Sequence, residues 1–236
     1  MDINKMMTPR LMFAAGFVSC GATVADVGTD HAYIPIWLVK NGVCPGAVAM
    51  DINQGPILRA EENIRKFGLE TKIRTKLSDG LAALEPNEAD TVVIAGMGGI
   101  LINQILENAA HLYSSIKHYV LQPMTAIEET RKFLEQNGFF IQDECLAKEE
   151  NKIYTIMSVV RGQMRIEKEI HYYIGEKLIE NRDPLLSELL DGKMYELGRA
   201  IASLQFAKGE EAAQKREWFL FLRNEMNKIK EACTLW

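Results

Sequence analysis

The segment VADVGTDHAYIP, Val24 to Pro35, decides how this chain is read. A short apolar run passes through Asp26 into a glycine turn at Gly28, and the residues after it can open a helix. A strand that brings the backbone to a sheet edge, followed by a turn without a side chain, lets a nucleotide-like ligand come close. Amides at the helix start then face the ligand's polar groups. Only Gly28 matches the three-glycine dinucleotide fingerprint, so the turn taken alone is also compatible with a tight strand-to-helix connection that binds nothing.

The sequence on either side repeats the same grammar. Before it, Thr8-Pro9 opens a helix that ends near Ser19 to Gly21. Ala22 to Val27 is then a first strand and His31 to Lys40 a first crossover helix, with Pro35 near its start. Gly46 to Met50 is a buried strand, followed by a helix from Asn53 to Phe67 closed by Gly68. Lys72 to Leu77, Thr91 to Ala95 and His118 to Gln122 read as further strands, with a helix over Ile100 to Ala110 between the last two. Thr125 and Glu128 form a capping-box pattern for a helix over Ala126 to Asn137, stopped by Gly138. Phe139 to Ala147 and Ile153 to Val160, joined by the polar turn KEEN, complete the set as a hairpin. Such alternation predicts an α/β fold: a Rossmann-like, mostly parallel sheet over residues 1–162 with helices on both faces.

After Gly162 the strand signal stops. Met194, Leu197, Ile201 and Leu204, and then Phe219, Leu222, Met226, Ile229 and Cys233, recur at alternating steps of three and four. That is the seam of two helices packed on each other, with Lys208-Gly209-Glu210 as the reversal. Residues 163–236 are therefore expected to form an all-α, coiled-coil-like helical hairpin, preceded by a helix over Met164 to Ile179 and a break at Pro184.

Bulk properties narrow the function classes. With 236 residues and 47% hydrophobic content the chain can bury a full core, and 25% charged residues is an ordinary globular share. Its net charge of -5 leaves any contact with nucleic acid to a local basic patch. Cys20, Cys44, Cys145 and Cys233 are far apart and read as reduced core or boundary thiols, with no metal site expected. Neither a signal peptide nor a bilayer-spanning run is evident, so a cytoplasmic location is expected.

The acidic residues fall at informative places. Asp26, Asp51 and Asp79 sit at or just past the carboxyl ends of the first three predicted strands, and Gly96 to Gly99 does so on the fourth; in a parallel sheet these ends meet where ligands bind. Single strand-end aspartates are commonplace turn residues, but three in succession beside two glycine turns suggest a site. Asp51 lies 25 positions after Asp26, close to the spacing at which a carboxylate accepts ribose hydroxyls, and Asp79 can accept from an adenine amino group. Without a phosphate-cradling glycine run or a P-loop lysine, the ligand reads as a nucleoside lacking phosphates, a description that S-adenosylmethionine fits.

From Thr8 to Gly162 the chain closely resembles the bacterial tRNA (adenine(22)-N1)-methyltransferases, a group of class I S-adenosylmethionine-dependent enzymes. The resemblance rests on VADVGTDHAYIP, AMDINQGP at Ala49 to Pro56, SDG at Ser78 to Gly80, VVIAGMGG at Val92 to Gly99 and VLQPM at Val120 to Met124. It implies that Asp26, Gly28, Thr29, Asp30 and His31 wrap the methionine part of the cofactor and that Asp51 takes the ribose hydroxyls. Ile52, Asp79 and Gly80 would hold the adenine, and Ala95, Gly96, Met97 and Gly98 would line the wall toward the acceptor. Asp30 stands where a second glycine is common, and AGMG replaces the N/D-P-P-Y/F signature of many amino methyltransferases. The substitution has a chemical reason. Adenine N1 carries an in-plane lone pair and needs no prior deprotonation, so alignment and a suitable electrostatic pocket suffice.

N1 lies on the pairing edge, so the base must leave its stack. Tyr33 is the candidate platform for it, with a packed helix residue as the alternative reading; His31 either orients the acceptor or bonds a backbone carbonyl, and the second is favoured. Lys5, Arg10, Arg59, Arg65, Lys66, Lys72, Arg74 and Lys76, with Arg199, Lys208, Lys215, Arg216 and Arg223 on the helical hairpin, are the basic residues available to tRNA. The hairpin itself is a clamp for that RNA or a dimerisation surface, and a monomer or weak dimer is expected. Other readings are a methyltransferase for a different nucleobase or a small molecule, and a cofactor-binding RNA protein without catalysis.

Overall fold

The structure is a computed structural model and describes residues 2–206 and 209–234, which fall into two compact units, 2–165 and 166–234. In the first unit, α1 (Pro9–Gly16) precedes β1 (Val24–Val27), α2 (Tyr33–Lys40), β2 (Ala47–Asp51), α3 (Gln54–Lys66), β3 (Ile73–Leu77), β4 (Thr91–Met97), α4 (Gly99–Asn108) and β5 (His118–Pro123). Then come α5 (Ile127–Gln136), β6 (Phe139–Glu149) and β7 (Lys152–Arg161). The seven strands form one sheet in the order β3-β2-β1-β4-β5-β7-β6. Strands β1 to β5 run parallel, while β7 is antiparallel to β5 and to β6.

Pleat alternation divides the core into two layers. On one face Val24, Ala47, Ala49, Val93 and Val120 pack with residues of α1, α2 and α3, among them Ala14, Ile34, Leu38 and Ile64. On the other, Ala25, Val27, Val48, Met50, Val92 and Ile94 pack with Ile102 and Leu106 of α4 and Leu134 of α5. Both faces of the central strands are covered, which is why AVAM reads as a continuous apolar run and VADV is apolar but for Asp26. Each fully buried Val, Leu, Ile or Met side chain here contributes about 1.5 to 3 kcal/mol. The strand order reverses between β1 and β4, and this switch point opens a crevice at the carboxyl ends.

Three local departures matter. Strand β4 does not stop at Ala95 but continues to Met97 through a register shift between Ala95 and Met97 against β5. Gly96, with φ +83°, forms this bulge, and the extra residue turns Met97 toward the α4 face although Ala95 faces α1 and α2. Thr125 does not cap α5: the capping position is Ala126 in the left-handed region, while the Thr125 carbonyl accepts the Gly99 amide at 2.9 Å. The hairpin strands extend further into KEEN than expected, so that only Glu150 and Asn151 turn.

In the second unit the single helix expected over Met164 to Ile179 is instead two short ones, α6 (Ile170–Tyr173) and α7 (Glu176–Glu180), interrupted at Gly175. The pair α8 (Leu186–Leu204) and α9 (Glu210–Cys233) follows. Its buried seam consists of Leu186 and Leu190 on α8 with Leu222 and Met226 on α9, while Met194, Leu197 and Ile201 are half-buried. Of the expected reversal, Gly209 and Glu210 begin α9 and Lys208 lies outside the described residues. Among the described residues no helix is long and apolar enough to cross a membrane, and no group of three or more His, Cys, Asp or Glu is arranged to hold a metal ion. Cys44 is buried, Cys145 and Cys233 are half-buried, and Cys20 is exposed instead of at a core boundary.

Candidate active site

The turn after β1 is tied down from two sides. The amides of Gly28 and Thr29 both donate to the Met50 carbonyl, at 2.8 and 2.9 Å, which joins the turn to the end of β2. Gly28 (φ +74°), Asp30 (φ +44°) and Ala32 (φ +57°) all lie in the left-handed region, unfavourable for the last two, and Ala32 in this conformation starts α2. Strain of this kind persists only where the surroundings enforce it and is concentrated at ligand sites. Asp26 is 5% exposed, and its Oδ2 accepts the Thr29 hydroxyl at 2.6 Å. Burial pushes the Asp26 carboxyl up to about 6; the Thr29 bond opposes that rise and the negative charge of Asp51 adds to it.

The next loops are stapled in the same way. The Asp51 carbonyl accepts the Ser78 amide at 2.8 Å, and its carboxylate takes the Asn53 amide at 2.8 Å through one oxygen. Ser78 donates its hydroxyl to the Gly80 carbonyl and accepts the Ala83 amide, each at 3.0 Å. Asp79 and Ile52 are exposed beside them. On the fourth loop the Gly96 amide donates to Oε1 of the fully buried Gln122 at 2.9 Å.

A cleft of about 310 Å³ lies at the switch point. It brings together Asp26, Gly28, Thr29, Asp30, His31 and Tyr33 with Ala95 and Gly96, and adds Arg10 and Leu11 from α1. Asp51, Ile52, Asp79, Gly80, Met97 and Gly98 do not line it, although the charge of Asp51 reaches Asp26. The Asp30 carboxylate is turned toward Arg59 on α3, whose Nε donates at 3.2 Å. The His31 ring does not bond a backbone carbonyl among the described residues; it stacks on Tyr33 with centroids 5.0 Å apart and planes 11° from parallel, 3.5 Å from the Asp30 carboxylate. Of the basic residues offered to RNA, Arg59, Lys66, Arg74 and Lys76 are engaged with Asp30, Glu62 and Glu88. The cleft role of Arg10 had no signal in motif spacing, and Gln122 was visible only as a letter of VLQPM.

Chemically, a narrow floor at Gly28, a buried carboxylate and a hydroxyl-accepting carboxylate on the neighbouring loop suit a cationic ligand that carries a ribose. A Cβ on residue 28 would meet the Met97 methyl at 2.2 Å, and the φ of +74° there favours glycine in any case. The donor set thus fits S-adenosylmethionine, whose ammonium and sulfonium groups are cationic.

Comparison with known proteins agrees with this geometry. The profile of the tRNA (adenine(22)-N(1))-methyltransferase family matches residues 24–231. The tRNA (adenine(22)-N(1))-methyltransferase of Bacillus subtilis is 35% identical over 156 residues, which are 66% of this chain and 66% of that one, just under two thirds of each. The crystal structure of the B. subtilis M1A22 tRNA methyltransferase TrmK superposes with a TM-score of 0.86 at 27% identity, covering 94% of this chain and 98% of that one. Streptococcus pneumoniae Sp1610 in complex with S-adenosyl-L-methionine gives 0.82 at 32% identity, covering 95% of this chain and all of that one. With the profile matched from β1 through α9 and the strand-end site in place, this chain belongs to the family of tRNA (adenine(22)-N(1))-methyltransferases, enzymes that use S-adenosylmethionine.

Proposed function

We propose that this S-adenosylmethionine-dependent tRNA (adenine-N1)-methyltransferase acts on the adenine at position 22 through the cleft between the Asp26 turn and the Gly96 bulge. The observation that carries this reading is the juxtaposition of a buried Asp26–Thr29 pair with the bare Ala95-Gly96 wall across one cleft, with no N/D-P-P-Y/F segment in between. The bound cofactor supplies a methyl group made electrophilic by its sulfonium. Gly28, Thr29 and Asp26 hold the methionine part, with His31 and Asp30 at its edge. Asp51 accepts the ribose hydroxyls with the carboxylate oxygen that Asn53 leaves free, and Ile52, Asp79 and Gly80 flank the adenine. Ala95, Gly96, Met97 and Gly98 shape the wall against which the acceptor is aligned.

No residue is required to deprotonate the acceptor, because N1 presents its own lone pair; catalysis rests on alignment in a pocket that excludes water. Tyr33 supports the extruded base, stacking being worth roughly 1 to 3 kcal/mol. The helical unit serves as an RNA clamp: Arg199, Lys215, Arg216 and Arg223 are exposed on α8 and α9 together with the aromatic residues Tyr195 and Phe221. Cationic and stacking side chains on one element suit a nucleic-acid surface. A cytoplasmic enzyme, monomeric or weakly dimeric, completes the reading.

The test is methyl transfer from labelled S-adenosylmethionine to unmodified tRNA, followed by nucleoside analysis. The expected product is 1-methyladenosine, lost when the adenine at position 22 is replaced. Cofactor binding without labelled RNA, or label in another nucleoside, overturns the assignment.

A further inference from the structure

The loops that end β4 and β5 are zipped together. The Met124 amide donates to the Met97 carbonyl at 2.7 Å, and the Gly99 amide to the Thr125 carbonyl at 2.9 Å. Gly99 leaves no slack in this joint: a Cβ there would collide with Thr130 Oγ1 and with the carbonyl oxygens of Ala126 and Thr125, at 2.5 and 2.7 Å. The chain then enters α5 through Ala126 at φ +51°, a conformation that costs an L residue roughly 1 to 2 kcal/mol. Strain of this kind persists where the surroundings enforce it and is concentrated at functional sites. Its result here is the place of Thr125. A threonine beside a helix start ordinarily turns its hydroxyl onto the helix amides. No side chain caps α5, however, and Thr125 is exposed, its hydroxyl without a hydrogen-bond partner among the described residues. Its Oγ1 stands instead 3.3 Å from where a Cβ on Gly98 would be.

Gly98 is the last residue of AGMG, the place at which the N/D-P-P-Y/F signature carries a ring. Without that ring, the space beside the wall is left to the side chains of the next loop. Met124 is 40% exposed, and its sulfur lies 3.5 Å from Nε2 of Gln122, the residue whose Oε1 takes the Gly96 amide at 2.9 Å. Neither Met124 nor Thr125 lines the 310 Å³ cleft. We propose that the Thr125 hydroxyl accepts a hydrogen bond from the N6 amino group of the target adenine; this deepens the acceptor reading above and rests on it. N6 neighbours N1 on the base, so a group fixed at the Gly98 end of the wall meets it when N1 faces the methyl group. The contact strengthens during the reaction. N1 gives its lone pair to the methyl carbon, the carbon–sulfur bonding pair leaves with sulfur, and the adenine becomes a cation whose charge is shared with N6. The N6–H group is then a charge-assisted donor, about twice as strong as a neutral one. Its proton passes to water after release. Stabilisation that grows toward the transition state raises the rate more than the affinity.

Single-turnover methyl transfer is measured for the wild type, Thr125→Val and Thr125→Ser on two tRNAs, one with adenine at position 22 and one with purine, which lacks the N6 amino group. On adenine, Thr125→Val is expected to be slower roughly ten- to a hundredfold, the size of a hydrogen bond to a charged group. Thr125→Ser, which restores the hydroxyl, should recover most of that rate. On purine, the wild type and Thr125→Val should react alike, because the partner of the hydroxyl is already gone. Calorimetry with S-adenosylhomocysteine should give the same affinity for all three proteins. An adenine rate unaffected by Thr125→Val overturns the proposal, and so does an equal loss on both tRNAs, which would reduce Thr125 to a part of the loop scaffold. A wild type that methylates neither tRNA at position 22 overturns the acceptor reading itself, an outcome distinct from both.

Discussion

The methyl end of Met97 lies over Gly28, 2.2 Å from the position that a Cβ on residue 28 would take. The turn after β1 and the bulge at the end of β4 thus meet at a point where one of them has no side chain. Gly28→Ala meets two obstacles of different kinds. The contact with Met97 is with the end of a flexible side chain and can be relieved, but φ of +74° cannot, and a left-handed L residue costs roughly 1 to 2 kcal/mol. Thermal unfolding should show a loss of that size, and calorimetry a larger loss of cofactor affinity, because Gly28 lines the cleft and a shift of its turn moves Thr29 and Asp30 with it. Gly28→Ala combined with Met97→Ala should recover little stability. Full recovery would show that crowding, not backbone conformation, selects glycine.

Asp26 makes the stability of the ligand-free protein depend on pH in an unusual direction. Its carboxyl is pushed up to about 6 by burial, so the folded state holds a proton there that the unfolded chain has released. The Asp26 contribution is therefore fully present below about pH 4 and is lost as pH rises through 6, a change on the order of 3 kcal/mol. Urea unfolding at a series of pH values should show the wild type losing stability relative to Asp26→Asn across this window. Parallel curves for the two proteins would mean that Asp26 titrates normally.

The parts of this molecule that were legible in its sequence are those encoded locally. Strands such as AVAM and TVVIA announce themselves by length and composition, and Asp26, Asp51 and Asp79 announce the carboxyl edge because each sits at or just past the end of a strand. The bulge at Gly96 was not legible, since it is defined by pairing with Gln122 and Pro123 on a neighbouring strand. Thr125 failed as a cap for a similar reason: its carbonyl is claimed by Gly99, and the chain enters α5 through a left-handed Ala126. The position of Arg10 in the cleft depends on Gln122, 112 residues away, and no periodicity carries such a relation.

Tyr33 stacks on His31, packs against the core layer under α1 and α2, and lines the cleft where the proposed base would enter. Tyr33→Ala should slow methyl transfer to tRNA roughly ten- to a hundredfold, in line with about 1 to 3 kcal/mol for a stacked base. Tyr33→Phe keeps the ring and should stay close to wild type, and cofactor affinity should barely change in either. Equal losses in the two variants would assign the effect to the hydroxyl, and a loss of cofactor binding would assign it to the turn.

Arg131 on α5 and Glu144 on β6 form a buried ion pair, with Nε and Nη2 donating to one carboxylate oxygen at 3.0 and 2.7 Å and both side chains 2% exposed. Neither residue lines the cleft, so the pair separates stability from function. Glu144→Ala removes the carboxylate that takes two of the guanidinium's donors in a buried setting, a change that costs about 3 to 5 kcal/mol. Replacing both partners together, Arg131→Met with Glu144→Leu, removes both buried charges at once and should be much less destabilising than the single change. Urea unfolding tests the order of the three proteins, and S-adenosylhomocysteine binding by the folded fraction should be the same in all. A double variant as unstable as Glu144→Ala would mean that the pair is worth more than its burial costs, and that β6 depends on it for its place in the sheet.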